Sequence, residues 1–206
     1  MCGIVSYIGK SDPVPILLKG LKRLEYRGYD SSGIAMLEED NLNYIKKRGK
    51  VSELQSHVNL SSIKGHCGIA HTRWATHGIP NDINAHPHLD ETGKIALVHN
   101  GIIENYESIK QTLIGRGVSF TSDTDTEVLV QLISELYYNN DEKISFESAV
   151  KAALQEVIGA YGIVVICADK PNTMIAARMG SPLVLGVGEG EYLLASDCLL
   201  YSSDAA

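Results

Sequence analysis

The strand-like segments of this sequence occur in groups, and this grouping limits the folds that the chain can adopt. Helical patterns lie between the groups instead of following every strand, which favours an α+β fold with largely antiparallel sheets over an alternating α/β fold. Most segments are apolar on both faces, so we expect sheets that are covered on both sides. The segments rich in β-branched residues are 3–8, 32–37, 42–47, 68–73, 95–99, 162–168, 173–178, 183–187 and 192–195.

Helix starts are indicated by residues that cap helices well. The first helix carries leucines at helical spacing and is expected to stop at Gly28, because glycine commonly follows a helix end. The cap positions are Asp12 before Pro13, Asn105, Thr124 with Glu127 three residues later, and Ser145. The last three lie between residues 99 and 162, where no strand is predicted.

The composition is that of a soluble globular protein. The chain has 206 residues, 44% of them hydrophobic, which is enough for one large domain with a buried core. The net charge of −7 and the lack of clustered Lys and Arg argue against a nucleic-acid surface, and the short basic run 46–48 is interpreted as a solvated strand end. No apolar run approaches the roughly 18–20 residues of a membrane span, and no signal peptide is recognisable. The sequence predicts a cytoplasmic protein.

Cys2 is singled out by its position. None of the cysteines forms a Cys-x-x-Cys pair, so reduced thiols are expected. Removal of the initiator methionine would give Cys2 a free α-amine whose pKa, about 7.7–8, suits proton transfer near neutral pH. Because the amine and the sulfur share one Cα, a bridging water is the expected relay between them. Such a residue can be nucleophile and base at once; considered alone, a small buried cysteine is the more common interpretation.

The segment 70–78 begins as a strand and breaks at 78–80. The break places four residues at the strand end, namely Arg73, Trp74, Thr76 and His77. A guanidinium in this uncharged stretch suits bidentate capture of a small carboxylate. An exposed arginine that pairs with a surface acid is an equally good interpretation of this segment alone.

Asn100 and Gly101 form an Asn-Gly pair, which ordinarily indicates a hairpin turn. Here the following sequence turns helical instead of re-entering a strand. An asparagine amide beside a glycine backbone N–H can donate two hydrogen bonds to one oxygen, as an oxyanion hole requires. The pair is therefore a candidate for transition-state stabilisation.

Asp125 and the histidines each have a structural and a functional interpretation. Asp125 lies in a predicted first helical turn, and from spacing alone a capping role is favoured over contact with a substrate ammonium. His86 and His88 could form a metal pair, but no His-x-x-x-His pattern and no acid or cysteine at ligand spacing accompany them. A metal site is a weak interpretation, and we predict none.

Six segments, in this order, resemble the glutaminase domain of the glutamine–fructose-6-phosphate aminotransferase (isomerising) family, and the resemblance covers essentially the whole chain. The segments are 2–5, 24–33, 71–78, 84–88, 99–105 and 124–127. That domain is a class II glutamine amidotransferase and belongs to the N-terminal-nucleophile hydrolases. The resemblance implies a four-layer α-β-β-α sandwich with two stacked antiparallel sheets.

The resemblance also implies a role for each matching residue. Cys2 would attack the side-chain amide of L-glutamine and give a γ-glutamyl thioester and ammonia. Asn100 and the backbone N–H of Gly101 would form the oxyanion hole. The implied substrate-binding residues are Arg73 for the α-carboxylate, Asp125 for the α-ammonium, Thr76 and His77 on a loop that closes over glutamine, Trp74 at the ammonia passage, and His86 near the site.

The resemblance further implies that 1–206 is a single glutaminase domain. The family's complete enzyme continues into sugar isomerase domains, absent from this sequence, that use the ammonia to make glucosamine 6-phosphate from fructose 6-phosphate. We expect no cofactor, no membrane and no nucleic acid as partners, and a homodimer only of the full-length enzyme. The alternatives are the glutaminase part of a phosphoribosyl-pyrophosphate amidotransferase or asparagine synthetase, or a non-catalytic glutamine- or metal-binding module.

Overall fold

A computed structural model describes residues 2–61, 63–75, 78–139 and 143–198. The strands in this part of the chain are β1 (Gly3–Ile8), β2 (Ser31–Glu38), β3 (Asn41–Arg48), β4 (Cys67–Arg73), β5 (His88–Leu89), β6 (Ile95–Ile103), β7 (Gly159–Cys167), β8 (Met174–Met179), β9 (Val184–Gly188) and β10 (Glu191–Ala195). The helices are α1 (Pro13–Leu24), α2 (Val51–Leu60), α3 (Tyr106–Gly115), α4 (Asp125–Tyr138) and α5 (Phe146–Glu156), with a 3-10 turn over Glu25–Arg27.

The strands form two antiparallel sheets. One sheet has the order β3-β2-β4-β1-β10-β9 and the other the order β5-β6-β7-β8. The strand β1 lies inside the first sheet, between β4 and β10. Beyond β10, Ser196 is fastened to β1, since its N–H donates to the carbonyl of Ile4 and its Oγ accepts from the N–H of Ile4 at 2.9 Å. The strand β1 is therefore an interior strand of the first sheet.

Apolar side chains pack in three layers, which makes the molecule a four-layer α-β-β-α sandwich. The layer under α1 and α2 contains Leu17, Leu21 and Leu54, against the outer face of the first sheet. The layer under α3, α4 and α5 covers the second sheet and includes Leu129, Ile133 and Phe146. The layer between the sheets is formed by Ile4, Leu37, Ile69, Val98, Val164 and their neighbours. The predicted α+β class and the layer order implied by the family resemblance are both confirmed.

The alternation of side chains along β1, β4 and β6 determines which residues face the space between the two sheets. Ile4 on β1, Ile69 on β4 and Val98 on β6 all belong to the inner layer. Because side chains alternate between faces along a strand, residues two positions away share that side. Three polar side chains, those of Cys2, His71 and Asn100, thereby come to one end of the space between the sheets.

The predicted helix starts are largely confirmed. The carboxylate of Asp12 accepts from the N–H of Val14, and the hydroxyl of Ser145 accepts from the N–H of Ser148. Thr124 accepts from the N–H of Glu127 at 3.2 Å, which is one half of a capping box. The other half is missing, because the Glu127 carboxylate accepts instead from the backbone of 121 and 122. The first helix ends at Leu24, and the 3-10 turn continues to Gly28.

Several sequence predictions are wrong. The strand β6 does not end at His99 but runs through Asn100 and Gly101 to Ile103, so this pair neither forms a hairpin turn nor precedes a helix directly. Asn105 makes no capping bond; its amide donates to the carbonyl of Glu156 at 2.8 Å and its oxygen accepts from the N–H of Ile158 at 2.9 Å. The helix α2 and the two-residue strand β5 were not predicted.

Two predictions about solvent exposure also need correction. Lys46, on β3, is only partly exposed: its Nζ donates to the carbonyl of Ile83 at 3.0 Å, and burial lowers its pKa to about 8. The strands β8, β9 and β10 are not covered on both faces, since Leu185 and Tyr192 are about half exposed. Among the described helices, none has the length and apolar character that crossing a membrane requires.

Candidate active site

A cleft of about 250 Å³ opens at the end of the space between the sheets. It brings together seven residues that the sequence singled out: Cys2, Arg73, Trp74, His86, Asn100, Gly101 and Asp125. These come from the start of β1, the end of β4, the segment before β5, the strand β6 and the start of α4. Thr76 and His77 lie outside the described residues. A cleft in which separated segments place polar groups together is the usual form of a binding site.

Cys2 lies immediately before β1, and its thiol contacts the backbone of Trp74. The Sγ atom accepts from the N–H of Trp74 at 3.2 Å and lies 3.6 Å from its carbonyl oxygen. Burial raises the pKa of the Cys2 thiol, although the bond from Trp74 and the positive charge of Arg73 act in the opposite direction. The thiol is therefore protonated at neutral pH, and an attack by its sulfur requires a nearby base.

Asn100 connects the thiol residue to the second sheet. Its Nδ2 donates to the backbone carbonyl of Cys2 at 3.1 Å, and its Oδ1 accepts from His71 Nε2 at 3.0 Å. An asparagine NH₂ group carries two hydrogens, so one remains for an oxygen in the cleft. The side chain is thus a donor located beside the sulfur-bearing residue.

Gly101 follows Asn100 in a conformation that requires glycine. Its φ is +133°, and a Cβ at this position would lie 2.0 Å from the carbonyl oxygen of Ala160. Both the backbone angle and the close approach of β7 exclude a side chain. The backbone of this residue is therefore exposed to the cleft.

Arg73 ends β4 and is buried, with 3% of its surface exposed. The stretch around Arg73 is uncharged in the sequence, but the fold brings acids from other segments near it. The carboxylates of Asp30, Asp125 and Asp123 oppose the effect of burial, which lowers the pKa of the guanidinium. The backbone of Arg73 also passes close to Gly28, where a Cβ would lie 2.8 Å from the Arg73 carbonyl carbon. An arginine always carries its charge in proteins, so the cleft contains a fixed cation.

Asp125 is the first residue of α4, and it is buried. Its Oδ2 accepts from the N–H of Ile103 at 2.9 Å, which joins the helix start to the end of β6. The capping of α4 is done by the side chain of Thr124, so Asp125 is not needed for that task. The carboxylate lines the cleft together with Arg73.

A layer of four buried histidines lies beneath the cleft: His71, His86, His88 and His99. The rings of His71 and His86 stack with centroids 4.2 Å apart, and His88 meets His86 edge to face. The hydroxyl of Thr126 lies between His86 Nε2 at 2.9 Å and His99 Nδ1 at 3.1 Å.

Burial lowers the pKa of all four histidines, so they are neutral at physiological pH. The value for His71 falls to about 3. The pKa values of His86 and His88 fall well below the ordinary range, and that of His99 is lowered although the Asp125 charge acts against the effect of burial. His99 Nδ1 and Asp125 Oδ2 are 4.0 Å apart and do not form an ion pair, because the imidazole is uncharged.

The described part of the chain contains no group of three or more His, Cys, Asp and Glu residues arranged to hold a metal ion. The rings of His71 and His86 instead stack on each other, His88 makes a hydrogen bond with Thr124, and His86 makes one with Thr126. The alternative of a metal pair at His86 and His88 therefore has no support from the geometry of these residues.

Trp74 leaves β4 towards solvent, with 46% of its surface exposed. Its ring meets that of Tyr29 edge to face at 5.6 Å. The next residue, Ala75, donates its N–H to the carboxylate of Asp30 at 2.8 Å. The backbone after Arg73 is thus held by a hydrogen bond and a ring contact to the segment that begins at Gly28.

Some residues that line the cleft were not singled out in the sequence: Arg27, His99, Ile102, Thr124, Thr126, Ser181 and Pro182. Arg27 pairs with Asp197 at 3.0 Å, far away in the sequence, and Ser181 and Pro182 precede β9. Nothing local in the sequence marks Ser181 and Pro182, whereas Arg27 lies in the segment 24–33 that carries the family resemblance. Thr124 and Thr126 belong to a motif that the sequence did indicate. The alternation of side chains on β4 and β6 could have predicted that His71 and Asn100 lie on the same side of their sheets.

Comparisons with known proteins agree with this arrangement. The profile of a family described as glutamine amidotransferase domain matches residues 42–201. A glutamine–fructose-6-phosphate aminotransferase [isomerizing] of Chlorobaculum tepidum is 54% identical over 96% of this chain, and one of Bacteroides thetaiotaomicron is 56% identical over 96%. The chain spans 32% of the length of each of these relatives.

A solved structure of similar fold is the glutamine phosphoribosylpyrophosphate amidotransferase from B. subtilis, in complex with ADP and GMP. The two superpose with a TM-score of 0.83 at 28% sequence identity, over 97% of this chain and 43% of that chain. The fold of the chain is therefore that of an N-terminal-nucleophile hydrolase.

Proposed function

The chain belongs to the glutamine amidotransferase domain family, and from that premise we propose that it hydrolyses the side-chain amide of L-glutamine through Cys2. The observation that carries the proposal is the position of Asn100, which donates to the carbonyl of Cys2 at 3.1 Å in a cleft that Arg73 and Asp125 also line. A nucleophile, a polar donor and a pair of opposite charges thus lie in one site.

The first chemical step is attack by the Cys2 sulfur on the amide carbon of glutamine. The thiol proton passes to the free α-amine of Cys2, through a bridging water, while the sulfur–carbon bond forms. The oxygen of the tetrahedral intermediate accepts hydrogen bonds from Asn100 Nδ2 and from the backbone N–H of Gly101. Collapse breaks the carbon–nitrogen bond; the amine returns the proton to the nitrogen, which leaves as ammonia. Water then hydrolyses the γ-glutamyl thioester to glutamate and restores the thiol.

The substrate is selected by its zwitterionic end. Arg73 binds the α-carboxylate of glutamine, and Asp125 accepts hydrogen bonds from its α-ammonium. Fixing both charges leaves the uncharged amide to reach the sulfur in a geometry suited to attack. Trp74 lies at the ammonia passage, and His86 supports the site from beneath.

In the complete protein we propose that the ammonia is used to make glucosamine 6-phosphate from fructose 6-phosphate. The support is the identity of 54% to a relative named as glutamine–fructose-6-phosphate aminotransferase, against 28% to the phosphoribosylpyrophosphate amidotransferase. On this proposal, residues 1–206 are the glutaminase domain, sugar isomerase domains supply the acceptor, and the whole enzyme is a cytoplasmic homodimer without a cofactor.

The proposal is tested with hydroxylamine, which intercepts a thioester and gives γ-glutamyl hydroxamate. A preparation with Met1 removed, verified by intact mass, should release ammonia from glutamine and form the hydroxamate. Cys2→Ala and a preparation with one extra residue before Cys2 should do neither, because the first lacks the sulfur and the second lacks the amine. Cys198→Ala is the matched control, since Cys198 is an exposed free cysteine. Turnover that persists in Cys2→Ala would disprove the mechanism.

The acceptor is tested separately, with the full-length protein. Glutamine-dependent formation of glucosamine 6-phosphate from fructose 6-phosphate is expected. Formation of phosphoribosylamine from phosphoribosyl pyrophosphate would favour the alternative amidotransferase. Glutamine binding without ammonia release in a preparation that lacks Met1 would favour a non-catalytic module.

A further inference from the structure

His71 has a defined hydrogen-bonding direction. It lies in the middle of β4 with no exposed surface, and its Nε2 contacts two oxygens: the backbone carbonyl of His99 at 3.1 Å and Asn100 Oδ1 at 3.0 Å. A carbonyl can only accept, so Nε2 must carry the hydrogen. The contact also crosses from the first sheet to the second.

The protonation state of His71 agrees with that direction. Burial lowers its pKa to about 3, so the ring is neutral and carries a single hydrogen, on Nε2. Nδ1 has no hydrogen-bond partner among the described residues, and the ring stacks on His86 at 4.2 Å. Moving the hydrogen to Nδ1 would direct the Nε2 lone pair at two oxygens, which is unfavourable.

The orientation of the Asn100 amide follows from its two neighbours. On one side stands the carbonyl of Cys2, which only accepts; on the other stands the Nε2 hydrogen of His71. Rotating the amide by half a turn would place two oxygens together on one side and two donors on the other. The nitrogen of Asn100 therefore faces the Cys2 side, where the oxygen of the intermediate would form.

From this geometry we infer that His71 is a positioning residue of glutamine hydrolysis, which acts through Asn100 by holding its NH₂ group towards the oxyanion. The inference rests on the proposed function. It assigns to His71 a role that is separate from filling the core, because the hydrogen bond it donates is one of the two that determine which end of the amide meets the substrate. Loss of that bond leaves the Cys2 carbonyl alone to orient the amide, so the rotated amide, whose oxygen repels an oxyanion, becomes more populated.

The test is a double-mutant cycle of His71→Leu and Asn100→Ala, measured by ammonia release. Removing one oxyanion donor lowers kcat by roughly 10²–10³-fold, so misdirecting it in His71→Leu should cost about 10- to 100-fold in kcat, with KM little changed. His71→Gln should recover part of the loss, because its amide can donate in place of Nε2. In the Asn100→Ala background, His71→Leu should lower kcat by less than about threefold.

A matched control uses His88, which is buried in the same layer but contacts Thr124 and not Asn100. His88→Leu should change kcat by the same factor in both backgrounds. An equal factor for His71→Leu in both backgrounds, or no fall in kcat at all, would overturn the positioning role in favour of a purely structural one.

A second measurement does not depend on turnover. In protein labelled with ¹⁵N, the side-chain NH₂ signals of Asn100 should shift in His71→Leu and stay in place in His88→Leu. Unchanged Asn100 signals in His71→Leu would disprove the positioning role even if the enzyme is active. Failure of the proposed function would appear differently, as a wild-type protein that does not release ammonia although these signals respond as expected.

Discussion

The buried histidine layer makes the fold sensitive to acid. His71, His86 and His88 have folded-state pKa values well below the value of about 6.5 in an unfolded chain. Between these values the unfolded chain binds more protons than the folded one, so stability increases with pH. The contribution is fully present above about pH 6.5 and is lost as the pH falls towards the folded-state values, which for His71 is about 3.

The size of the effect follows from the distance below pH 6.5. At pH 5, a histidine that stays neutral in the fold costs about 2 kcal/mol of unfolding free energy. For His71 this loss is set against a typical total of about 5–15 kcal/mol, and the lowered pKa values of His86 and His88 act in the same direction. The positive charge of Arg73 also lowers the pKa values of His86 and His88, and that of Lys46 lowers the pKa of His88. The negative charge of Asp125 acts in the opposite direction on the pKa of His99.

Urea unfolding followed by far-UV circular dichroism at pH 7.5, 6.5, 5.5 and 5.0 measures this loss. We expect the midpoint to fall by roughly 1 M or more between pH 7.5 and 5.0. His88→Gln should reduce the pH-dependent loss, because it removes one group whose pKa is lowered only in the folded state. His57→Gln is the control, since His57 is exposed. A midpoint that moves by less than about 0.5 M, or the same pH dependence in both variants, would refute the reasoning.

Four further changes examine the site. Arg73→Ala should raise KM for glutamine by about 100-fold or more while iodoacetamide still labels Cys2 normally; equal loss of both would mean that Arg73 is structural. Asn100→Ala should lower kcat by roughly 10²–10³-fold with little change in KM, and a change in KM alone would exclude the oxyanion role. Asp125→Asn should weaken glutamine binding at least about tenfold, measured as KM, without affecting hydrolysis of a substrate that lacks the ammonium. Gly101→Ala should lower Tm by at least about 5 °C, whereas Gly93→Ala, whose added Cβ has open space, should lower it less.

Local signals predicted the helices that have capping side chains. Asp12, Thr124 and Ser145 each accept a hydrogen bond from the first turn of a helix, so sequence and structure agree there. The helix α2 begins after Lys50, which makes no side-chain capping bond, and the sequence offers no start signal for it. Its buried residues Val51, Leu54 and Val58 have helical spacing and could have revealed it.

Propensity failed where tertiary contacts decide the conformation. An Asn-Gly pair favours a turn, yet β7 pairs along the whole length of β6 and keeps Asn100 and Gly101 in the strand. Two residues are too few for a pattern, which is why β5 was not predicted.

The chemistry of the site was predictable only in part. Cys2, Arg73, Asn100 and Asp125 were assigned from the resemblance, and the structure brings them into one cleft. The partnership of His71 with Asn100 spans the gap between two sheets, and spacing along the chain does not indicate which residues meet across that gap. The individual roles of Cys2, Arg73, Asn100 and Asp125 stay predictions, which the variants above test.

The central place of β1 has a consequence for synthesis on the ribosome. The strand β1, which follows Cys2, leaves the exit tunnel long before one of its two neighbours, β10, which ends at Ala195. At about 5–20 residues per second, the first strand waits roughly 10–40 s for this partner. The nascent chain therefore cannot complete the sheet around β1 until residue 195 has been translated.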